Sequence, residues 1–396
     1  MISVAGTQMQ VWSIFWHIRT LTDQPIALGA VGLVRIIPIV IFSLIGGAIA
    51  DRYDRRRVVF ISQTIMSACA LALTFLSFRE LTSLWHIYIL TAVQATAVAF
   101  DTPSRQSLVP NLVPGQDLPN AFSLMSIALQ TGSIVGPALG GLVIAYLGLP
   151  YTYLINAISY LAVLGALLLM GKVQQQYSPE SRVTISLASI REGILFIINQ
   201  PIILATMVLD FFATFFSSAN TLMPIFARDV LHVGAVEYGW LSAAQSIGAM
   251  SAALIISQLK EIRRQGPVFL TAVVIYGIAT ILFGISKTVA FAFVALVLAG
   301  AADSVSTIIR NTIRQLQTPD YIRGRMISIN QIFFMGGPQL GEIEAGIVAQ
   351  LFSAPFAVVS GGFACILSVA WIARRWPQIS RYNGDEAVRS GSTAAS

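Results

Sequence analysis

Long apolar stretches separated by short polar segments recur along almost the whole chain. Each stretch has about 20 mostly apolar residues, which is the length that a helix needs to cross the hydrocarbon of a bilayer. The stretches are continuous, whereas barrel strands alternate apolar and polar residues over about ten positions. The pattern therefore predicts about twelve transmembrane helices. The predicted spans are Ile2–Leu21, Ile26–Ala50, Val58–Phe78, Leu84–Ser104, Pro119–Leu147, Pro150–Met170, Ile202–Ala227, Tyr238–Leu259, Pro267–Ser286, Val289–Arg310, Met326–Phe352 and Pro355–Ala373.

A polar segment divides these spans into two groups. We expect an N-terminal six-helix half over residues 1–171, a cytoplasmic linker over 172–200 and a C-terminal six-helix half over 201–375. Isoleucines at helical spacing in the linker predict a short amphipathic helix over Ser189–Ile198, which would lie on the membrane surface. The polar tail, residues 376–396, is expected to be disordered.

The two halves share a glycine-proline motif. Span 5 contains Gly-Pro-Ala-Leu-Gly over residues 136–140, and span 11 contains Gly-Pro-Gln-Leu-Gly over residues 337–341. The alternative explanation is chance similarity between two apolar runs. Parallel six-helix repeats with a substrate site between them, near the bilayer midplane, are a known transporter plan. The motif thus favours an all-α membrane protein built from two pseudo-repeated halves.

Composition and charge agree with a membrane protein. Hydrophobic residues make up 56% of the chain and charged residues 11%, against about 25% charged residues in soluble domains, and the mean hydropathy is +0.75. The net charge of +6 comes from basic residues in short loops, which are topology signals. If the loop 51–57 is cytoplasmic, most lysines and arginines fall on that side, including Arg310 and Arg314. The outer loops then hold only Arg79, Arg228 and Lys287, and both termini are cytoplasmic.

Several classes of function find no support in the sequence. It has no phosphate-binding Gly-x-x-x-x-Gly-Lys-Ser/Thr loop for an ATP-driven pump, and no His-Glu-x-x-His or Gly-x-Ser-x-Gly motif for an enzyme. The two cysteines, Cys69 and Cys365, lie in separate apolar runs and are expected to pack as small apolar residues. We therefore expect no catalytic activity, no metal, no cofactor and no nucleic-acid partner. The expected partners are a small-molecule substrate, protons and the lipid bilayer, and the chain is expected to be a monomer.

The loop between spans 2 and 3 carries a charged motif, Gly-Gly-Ala-Ile-Ala-Asp-Arg-Tyr-Asp-Arg-Arg-Arg over residues 46–57. The glycines permit close packing, the aspartates favour the positive end of the next helix, and the arginines suit an anionic membrane surface. A simple positive-inside loop is the alternative. The arrangement resembles motif A of the major facilitator superfamily, in which the acidic residue latches onto a helix of the other half. The residues that match are Gly47, Asp51, Arg52, Arg56 and Arg57. The second half has a degenerate copy at Glu261, Arg263 and Arg264.

Span 5 carries a second motif. Glycines recur every four residues from Gly132 to Gly140, which forms a smooth face for tight helix packing, and Pro137 can kink the helix. This segment resembles motif C of the superfamily's drug/proton antiporters, which favours export, and a packing role alone is the alternative. The candidate residues are Gly132, Gly136, Pro137, Gly140 and Gly141. The family's earlier glycine is Ser123 here.

The resemblance spans nearly the whole chain. The segments 100–106, 118–121 and 324–325 resemble the branch of the superfamily that contains the enterobactin exporter and drug exporters. Two features depart from the family pattern. Arg105 lies at the end of span 4 rather than inside it, and Met1 already lies within the expected first helix. The second departure favours a start codon placed too late or a truncated reading frame.

Ionisable residues inside spans are costly and usually face a cavity or a partner. Asp210 lies among phenylalanines, where an apolar setting disfavours the charged carboxylate and suits a proton carrier. The other candidates for proton coupling are Asp303 and His17. For His17, a hydrogen bond in the cavity wall is the alternative, and for Asp101 we expect a local ion pair with Arg105.

Matching depths in spans 2 and 11 predict an inter-half gate. Arg35 and Glu342 lie at similar distances from the predicted outer surface, and Glu344 is nearby. We expect an Arg35–Glu342 ion pair that closes the outer side in one state, and the alternative is two separately solvated residues. Arg19 is expected to reach the outer surface by snorkelling.

The function that the sequence favours is secondary active export of a drug-like compound or a siderophore. Proton antiport and alternating access, in the inner membrane of a bacterium, are expected. Arg35 favours an anionic substrate, whereas Asp210 and Asp303 favour a cationic one, so the charge of the substrate stays open. Proton-coupled uptake and a non-transporting membrane protein are the alternatives.

Overall fold

The computed structural model describes residues 1–170, 187–217, 219–259 and 262–384, and all regular elements within these ranges are helical. The α-helices are α1 (Ile2–Leu21), α2 (Pro25–Arg52), α3 (Arg55–Phe78), α4 (Leu84–Leu108), α5 (Leu118–Tyr146), α6 (Leu149–Leu169), α7 (Leu187–Asn199), α8 (Pro201–Phe216), α9 (Met223–Ile225), α10 (Ala235–Ser257), α11 (Gln265–Gly284), α12 (Val289–Leu316), α13 (Asp320–Leu351), α14 (Ala354–Arg375) and α15 (Pro377–Arg381).

Nine helical runs among the described residues are long and apolar enough to cross a membrane. The helices α1, α4 and α13 also have the length of a span but are more polar, with residues such as Gln10, Asp101 and Glu342 inside them. Polar residues in a span usually line a cavity or meet a partner. The prediction of an all-α membrane protein is confirmed, and a count of about twelve spans is compatible with these helices.

Local chemistry sets several helix starts. Prolines occupy the first turn of six α-helices, where a backbone N–H has no intrahelical acceptor: Pro25, Pro119, Pro150, Pro201, Pro224 and Pro377. The carboxylate of Asp54 caps α3 by accepting the N–H groups of Arg56 at 2.9 Å and Arg57 at 3.3 Å. Removing a cap of this kind costs about 1 kcal/mol.

The predicted spans and the observed helices differ at several ends. The predicted span 7 is interrupted, because α8 ends at Phe216 and the chain continues through α9 and a π-helical turn over Phe226–Val230. The tenth span continues to Leu316, so Arg310 and Arg314 are buried inside α12 rather than placed in a loop. The prediction that counted these two arginines as cytoplasmic loop residues is therefore wrong.

The chain is divided into two compact units. Unit 1 comprises Met1–Arg182, Asn220–Ser246 and Gly346–Ala354, and unit 2 comprises Val183–Ala219, Ile247–Ala345 and Pro355–Ser396. In unit 1, α1 packs on α5 and α6, α3 packs on α4 and α6, and α2 packs on α4. Unit 1 thus combines the first six helices with the segments around α9, the first half of α10 and the end of α13.

The core of unit 2 lies where α8, α11, α12 and α14 meet, and it contains Leu209, Phe269, Ile313 and Cys365. The repeated glycine motif packs in the same way in both units. A Cβ on Gly136 would lie 2.7 Å from the Gln8 Cβ of α1. In unit 2, a Cβ on Gly337 would collide with the Thr214 side chain of α8. In each unit the motif therefore packs against the first long helix of its half.

The linker helix and the tail differ from expectation. The helix α7 starts at Leu187, and Ile197 is buried against Ile203, Met207 and Met326. The helix α7 therefore packs on the protein, in addition to any contact that it makes with a membrane surface. Residues 376–384 of the tail are ordered, since α15 buries Ile379 and the following Tyr382 is also buried. The expectation of disorder is wrong for that part, and residues 385–396 lie outside the described residues.

Candidate functional site

A buried charge cluster in unit 2 stands out among the described residues. On α12, the residues Asp303, Ser306, Arg310 and Arg314 are spaced by three, four and four positions, so they lie on one face of the helix. Their partner is Asp210 on α8, which is 2% exposed. Ionised groups in such a place are costly unless each has a counter-charge.

Asp210 is held between two arginines. Its Oδ1 lies 2.8 Å from Nη1 of Arg310, and its Oδ2 lies 3.5 Å from Nη2 of Arg314. The side chains of all three residues are at most 3% exposed. Asp210 is thus the shared counter-charge of Arg310 and Arg314, and its expected role as a proton carrier stays a prediction.

Arg314 is fixed by further hydrogen bonds. Its Nε donates to Oγ1 of Thr206 at 3.0 Å, its Nη2 donates to the Thr206 carbonyl at 3.0 Å, and its Nη1 donates to Oδ1 of Asn330 on α13 at 2.5 Å. The planar guanidinium therefore joins α12 to α8 and α13. A lysine could not satisfy all of these acceptors.

Asp303 has a different environment. Its Oδ1 is 3.8 Å from Nη1 of Arg310, and its side chain is 44% exposed, against 2% for Asp210. The carboxylate thus lies at the edge of the cluster, where water or a ligand can reach it. Its interaction with Arg310 is long enough to be broken and remade without disturbing the Asp210–Arg310 ion pair.

Aromatic rings lie beside this cluster. Phe211 stacks on Phe215 with ring centroids 5.8 Å apart, and Phe333 of α13 meets Phe211 edge-on at 6.2 Å. These rings follow Asp210 on α8, so unit 2 places an aromatic surface next to the charged one. Offset and edge-on ring pairs of this kind are favourable beyond the area that they bury.

The interior of unit 1 holds a network of amide side chains. Asn156 Nδ2 donates to Gln10 Oε1 at 2.6 Å, and Gln10 Nε2 donates to Gln94 Oε1 at 2.8 Å. The network borders a cavity of about 100 Å³ that Arg35 also lines. Arg35 forms no ion pair among the described residues, so it places a positive charge in this polar cavity.

His17 lies away from the charge clusters, on α1. Its Nδ1 is 2.9 Å from the hydroxyl of Tyr153 on α6, and His17 is 6% exposed. The contact supports the alternative role of His17, a hydrogen bond within the protein. A role as proton carrier stays a prediction.

An ion cluster joins the end of α1 to the π-helical turn after α9, and both belong to unit 1. Arg19 Nη2 lies 2.8 Å from Oδ2 of Asp229 and also pairs with Asp23, while Arg228 Nη1 donates to the Arg19 carbonyl at 3.4 Å. The hydrogen bond and charge of Arg19 lower the pKa of the exposed Asp23 carboxyl below its ordinary value. Arg19 is therefore anchored in an ion cluster at the predicted outer side with its side chain 11% exposed, and snorkelling to the membrane surface stays a prediction.

Aromatic and glycine contacts continue this junction. The hydroxyl of Tyr238 on α10 donates to the Trp12 carbonyl at 2.7 Å, and its ring lies 4.9 Å from that of Trp16. A Cβ on Gly239 would lie 2.7 Å from the carbonyl oxygen of Pro137 and 2.8 Å from Cα of Gly141. Only glycines allow α5 and α10 to approach this closely.

The motif C glycines thus divide between two neighbours. Gly132, Gly136 and Gly140 lie against α1, whereas Gly141 lies on a different face of α5 and meets Gly239 of α10. The same glycine-rich segment therefore contacts both a helix of its own half and a helix of the other predicted half.

The motif A arginines bind the ends of neighbouring helices. Arg56 Nε donates to the Leu167 carbonyl near the end of α6 at 2.8 Å, and Arg55 Nη1 donates to the Ser107 carbonyl near the end of α4 at 2.9 Å. Cations are stabilising at helix C-termini. Arg52 and Arg57 are exposed, and among the described residues a Cβ placed on Gly47 would meet nothing within 4 Å beyond its chain neighbours and its own helix backbone. The side chain of Asp51 and residue Glu261 lie outside the described residues.

The predicted gate and the predicted local ion pair differ in outcome. Glu342 is 8% exposed and Glu344 is half-buried, both on α13. The expected Arg35–Glu342 gate stays a prediction. The expected Asp101–Arg105 pair is present, with Nη2 of Arg105 2.9 Å from Oδ2 of Asp101, and Gln63 also donates to Asp101 at 2.9 Å.

The sequence reasoning missed Arg310, Arg314 and Asp229 as functional candidates. The helical spacing of both arginines after Asp303 was a usable signal, because it continues the phase of span 10 beyond its predicted end. Asp229 gave no such signal, since its position depends on the break after α8.

The outer ion cluster leads to a testable expectation. In a double-mutant cycle of Arg19→Gln and Asp229→Asn, we expect a coupling free energy of about 0.5–1 kcal/mol in thermal unfolding, because Arg19 is mostly buried and Asp229 is partly exposed. The coupling should shrink at high salt. Asp23→Asn is the matched control and should couple to Arg19 less strongly, since the Asp23 side chain is 91% exposed. Additive effects of Arg19→Gln and Asp229→Asn would show that the cluster contributes nothing.

Solved structures define the class of this fold. The chain superposes on the bacterial homologue of the human lysosomal transporter Spinster, in an inward-facing and unoccupied conformation, with a TM-score of 0.71, 14% identity and coverage of 96% of this chain and 95% of that chain. It also superposes on the inward-open xylose transporter XylE from E. coli with a TM-score of 0.69, 13% identity and coverage of 95% and 94%. The fold is that of the major facilitator transporters.

The family follows from the sequence comparison. The model of the family described as "Transmembrane secretion effector" matches residues 1–387, and the chain belongs to this family. The "Enterobactin exporter EntS" of Shigella boydii serotype 18 is 25% identical over 324 residues, covering 82% of this chain and 77% of the relative. That of Salmonella choleraesuis is 26% identical over 319 residues, covering 80% and 76%. The chain is therefore a multi-pass membrane transporter that exports a small molecule, as the sequence predicted.

Proposed function

We propose that this chain exports a small aromatic molecule, such as a catecholate siderophore, in exchange for protons. The observation that carries the proton coupling is the asymmetric charge cluster of unit 2. It contains one carboxylate locked between two arginines, Asp210, and one carboxylate at its accessible edge, Asp303. A coupled exporter needs a group that is protonated from one side and deprotonated toward the other during alternating access.

Asp303 is the better proton carrier of the two. Its side chain is 44% exposed and it lies 3.8 Å from Arg310, so it can lose a proton without a rearrangement of the core. Once ionised, it is drawn to Arg310, and once protonated it releases the arginine toward Asp210. Asp210 then acts as the fixed counter-charge that keeps Arg310 in reach. This reverses the order of the two candidates that the sequence favoured.

The substrate class rests on the relatives and on the aromatic surface. The relatives named above are enterobactin exporters, and Phe211, Phe215 and Phe333 offer faces on which flat rings can stack. Arg35 in the polar cavity of unit 1 favours substrates that carry negative charge or several acceptor oxygens. These features support a catecholate over a lipophilic cation. Localisation in a bacterial inner membrane, with both termini cytoplasmic, completes the proposal.

The experiment measures proton release from acid-loaded inverted vesicles with a fluorescent pH probe. Adding enterobactin should cause proton release with the wild-type chain, and a lipophilic cation dye should cause less. Asp303→Asn should abolish the release, because an amide cannot carry the proton, while substrate counterflow without a pH gradient continues. Asp303→Glu is the matched control and should keep the coupling, since it restores a carboxylate.

Two outcomes would contradict the proposal. Substrate-dependent proton release that persists in Asp303→Asn would remove Asp303 from the coupling. Absence of any proton release with the folded wild-type chain, for both compounds, would favour transport without proton antiport.

A further inference from the structure

A groove on unit 1 is not used by the proton coupling proposed above. The helices α2 and α3 each pack extensively on α4 but touch each other little, so a cleft remains between them with α4 as its floor. The close approach of α2 to α4 is set at Gly46, where a Cβ would collide with the Ala99 carbonyl oxygen. The resulting cavity has a volume of about 630 Å³, which falls in the range of small-molecule sites.

The lining of this α2–α3 groove is mostly apolar. Its α3 side is lined by Val58, Ile61, Ser62 and Ile65, its α4 floor by Val93, Thr96, Ala97 and Phe100, and α2 contributes Ile49. The residues on α3 and those on α4 each span eight positions, and the seven steps between first and last cover about 10 Å along a helix axis. Ile61 is 59% exposed and Val93 is 40% exposed. The groove is thus open sideways, in the direction of the hydrocarbon of a bilayer, and can take the upper part of an acyl chain.

One end of the groove is charged. It is closed by Tyr53, Asp54 and Arg57 of the motif A loop. The Asp54 carboxylate is directed to the backbone N–H groups at the start of α3. The Arg57 side chain is 84% exposed, and its Nε lies 3.7 Å from Oδ2 of Asp54. The two terminal nitrogens of the Arg57 guanidinium remain available, among the described residues, to a phosphate oxygen.

We propose that the α2–α3 groove binds one anionic phospholipid, with an acyl chain along Ile61, Ile65 and Val93 and the phosphate on Arg57. Charge complementarity selects the occupant. The Asp54 carboxylate accepts the backbone N–H groups at the start of α3, while the exposed Arg57 guanidinium at the same end of the apolar channel can meet a lipid with a negative headgroup. The motif A loop is predicted to face the cytoplasm, where the leaflet is anionic. This assignment is independent of the transported substrate and of proton coupling.

The experiment uses the full-length chain in phosphatidylcholine liposomes doped with phosphatidylglycerol that carries a photoreactive diazirine in its acyl chain. After illumination, crosslinked peptides are mapped by mass spectrometry. We expect crosslinks at Ile61, Ile65 and Val93, which are 59%, 39% and 40% exposed, to exceed those at Ile158 and Leu161 of α6, which are each 55% exposed. The same diazirine on phosphatidylcholine should label both surfaces alike.

Variants separate the headgroup contact from the acyl contact. Arg57→Gln should reduce the groove crosslinks to the level of α6, whereas Arg79→Gln, at the opposite end of α3, should leave them unchanged. Val93→Trp should block the groove, whereas Ile89→Trp, one turn away on α4 and 59% exposed, should not. All four positions are exposed, so the variants are expected to fold.

The proposal is overturned if crosslinks are equally dense in the groove and on α6 with both probes, since this pattern shows ordinary surrounding lipid only. It is equally overturned if Arg57→Gln leaves the preference for phosphatidylglycerol intact, because the headgroup would then be held elsewhere.

Discussion

Asp210→Asn is expected to destabilise the folded protein by about 3–5 kcal/mol, the cost of removing one partner from a buried ion cluster. The substitution leaves Arg310 and Arg314, each 2% exposed, without their shared counter-charge. The measurement is the thermal unfolding midpoint in detergent, followed by fluorescence-detected size-exclusion chromatography. The loss of stability should reduce the folded fraction of the Asp210→Asn variant, which can be measured without a transport assay.

The matched control is Asp101→Asn in unit 1. Asp101 also faces an arginine four residues further along its helix, but the Arg105 side chain is 36% exposed and can be hydrated once the pair is lost. Asp101→Asn should therefore lower the free energy of unfolding by no more than about 1 kcal/mol. The double variant Asp210→Asn with Arg310→Gln should regain part of the lost stability, since it removes one of the two unbalanced charges. A wild-type melting point for Asp210→Asn would show that the cluster does not depend on this anion.

These expectations depend on contacts of two kinds, of which the sequence reveals only one. The Asp101–Arg105 pair was predictable because residues four apart on a helix are neighbours whatever the tertiary structure. The glycines of α5 were predictable as a packing face for the same reason. Both features depend on the geometry of a single helix.

Contacts between distant helices depend on how each helix is rotated and at what depth it lies. Asp210 and Arg314 are 104 residues apart, and their meeting requires α12 to continue past the predicted end of span 10. The Arg19–Asp229 pair requires the interruption between α8 and α10, which a hydropathy window smooths over. Hydropathy reports that a stretch is apolar, and it does not fix where a helix bends or which face meets which neighbour.

The proposal that Asp303 rather than Asp210 carries the proton is a consequence of this limit. Both carboxylates lie in apolar stretches, so the sequence ranks them by the number of aromatic neighbours. The structure ranks them by their counter-charges and exposure, which are 2% for the Asp210 side chain and 44% for that of Asp303. A group that exchanges protons needs access to water, and the more buried carboxylate, Asp210, has less access than Asp303.

Gly239→Leu is expected to prevent the close approach of α5 and α10 and to stop transport. Its Cβ would lie 2.7 Å from the Pro137 carbonyl and 2.8 Å from Cα of Gly141. These are backbone atoms, which cannot move aside as a side-chain end can, so the two helices must separate. Overpacking of this kind costs about 1–3 kcal/mol. That cost falls on the state in which α5 and α10 are in contact and shifts the population away from it.

The measurement is labelling of Tyr238→Cys by a membrane-impermeant maleimide in cells, with and without Gly239→Leu. Tyr238 is 1% exposed in this structure, so labelling reports separation of the helices at the predicted outer side. We expect faster labelling and loss of substrate efflux with Gly239→Leu. Gly165→Leu on α6 is the matched control and should change neither property, because among the described residues a Cβ there would meet nothing within 4 Å beyond its chain neighbours and its own helix backbone. If Gly239→Leu behaves like Gly165→Leu, the contact between α5 and α10 is not part of the transport cycle, and the motif C glycines serve only to pack α5 against α1.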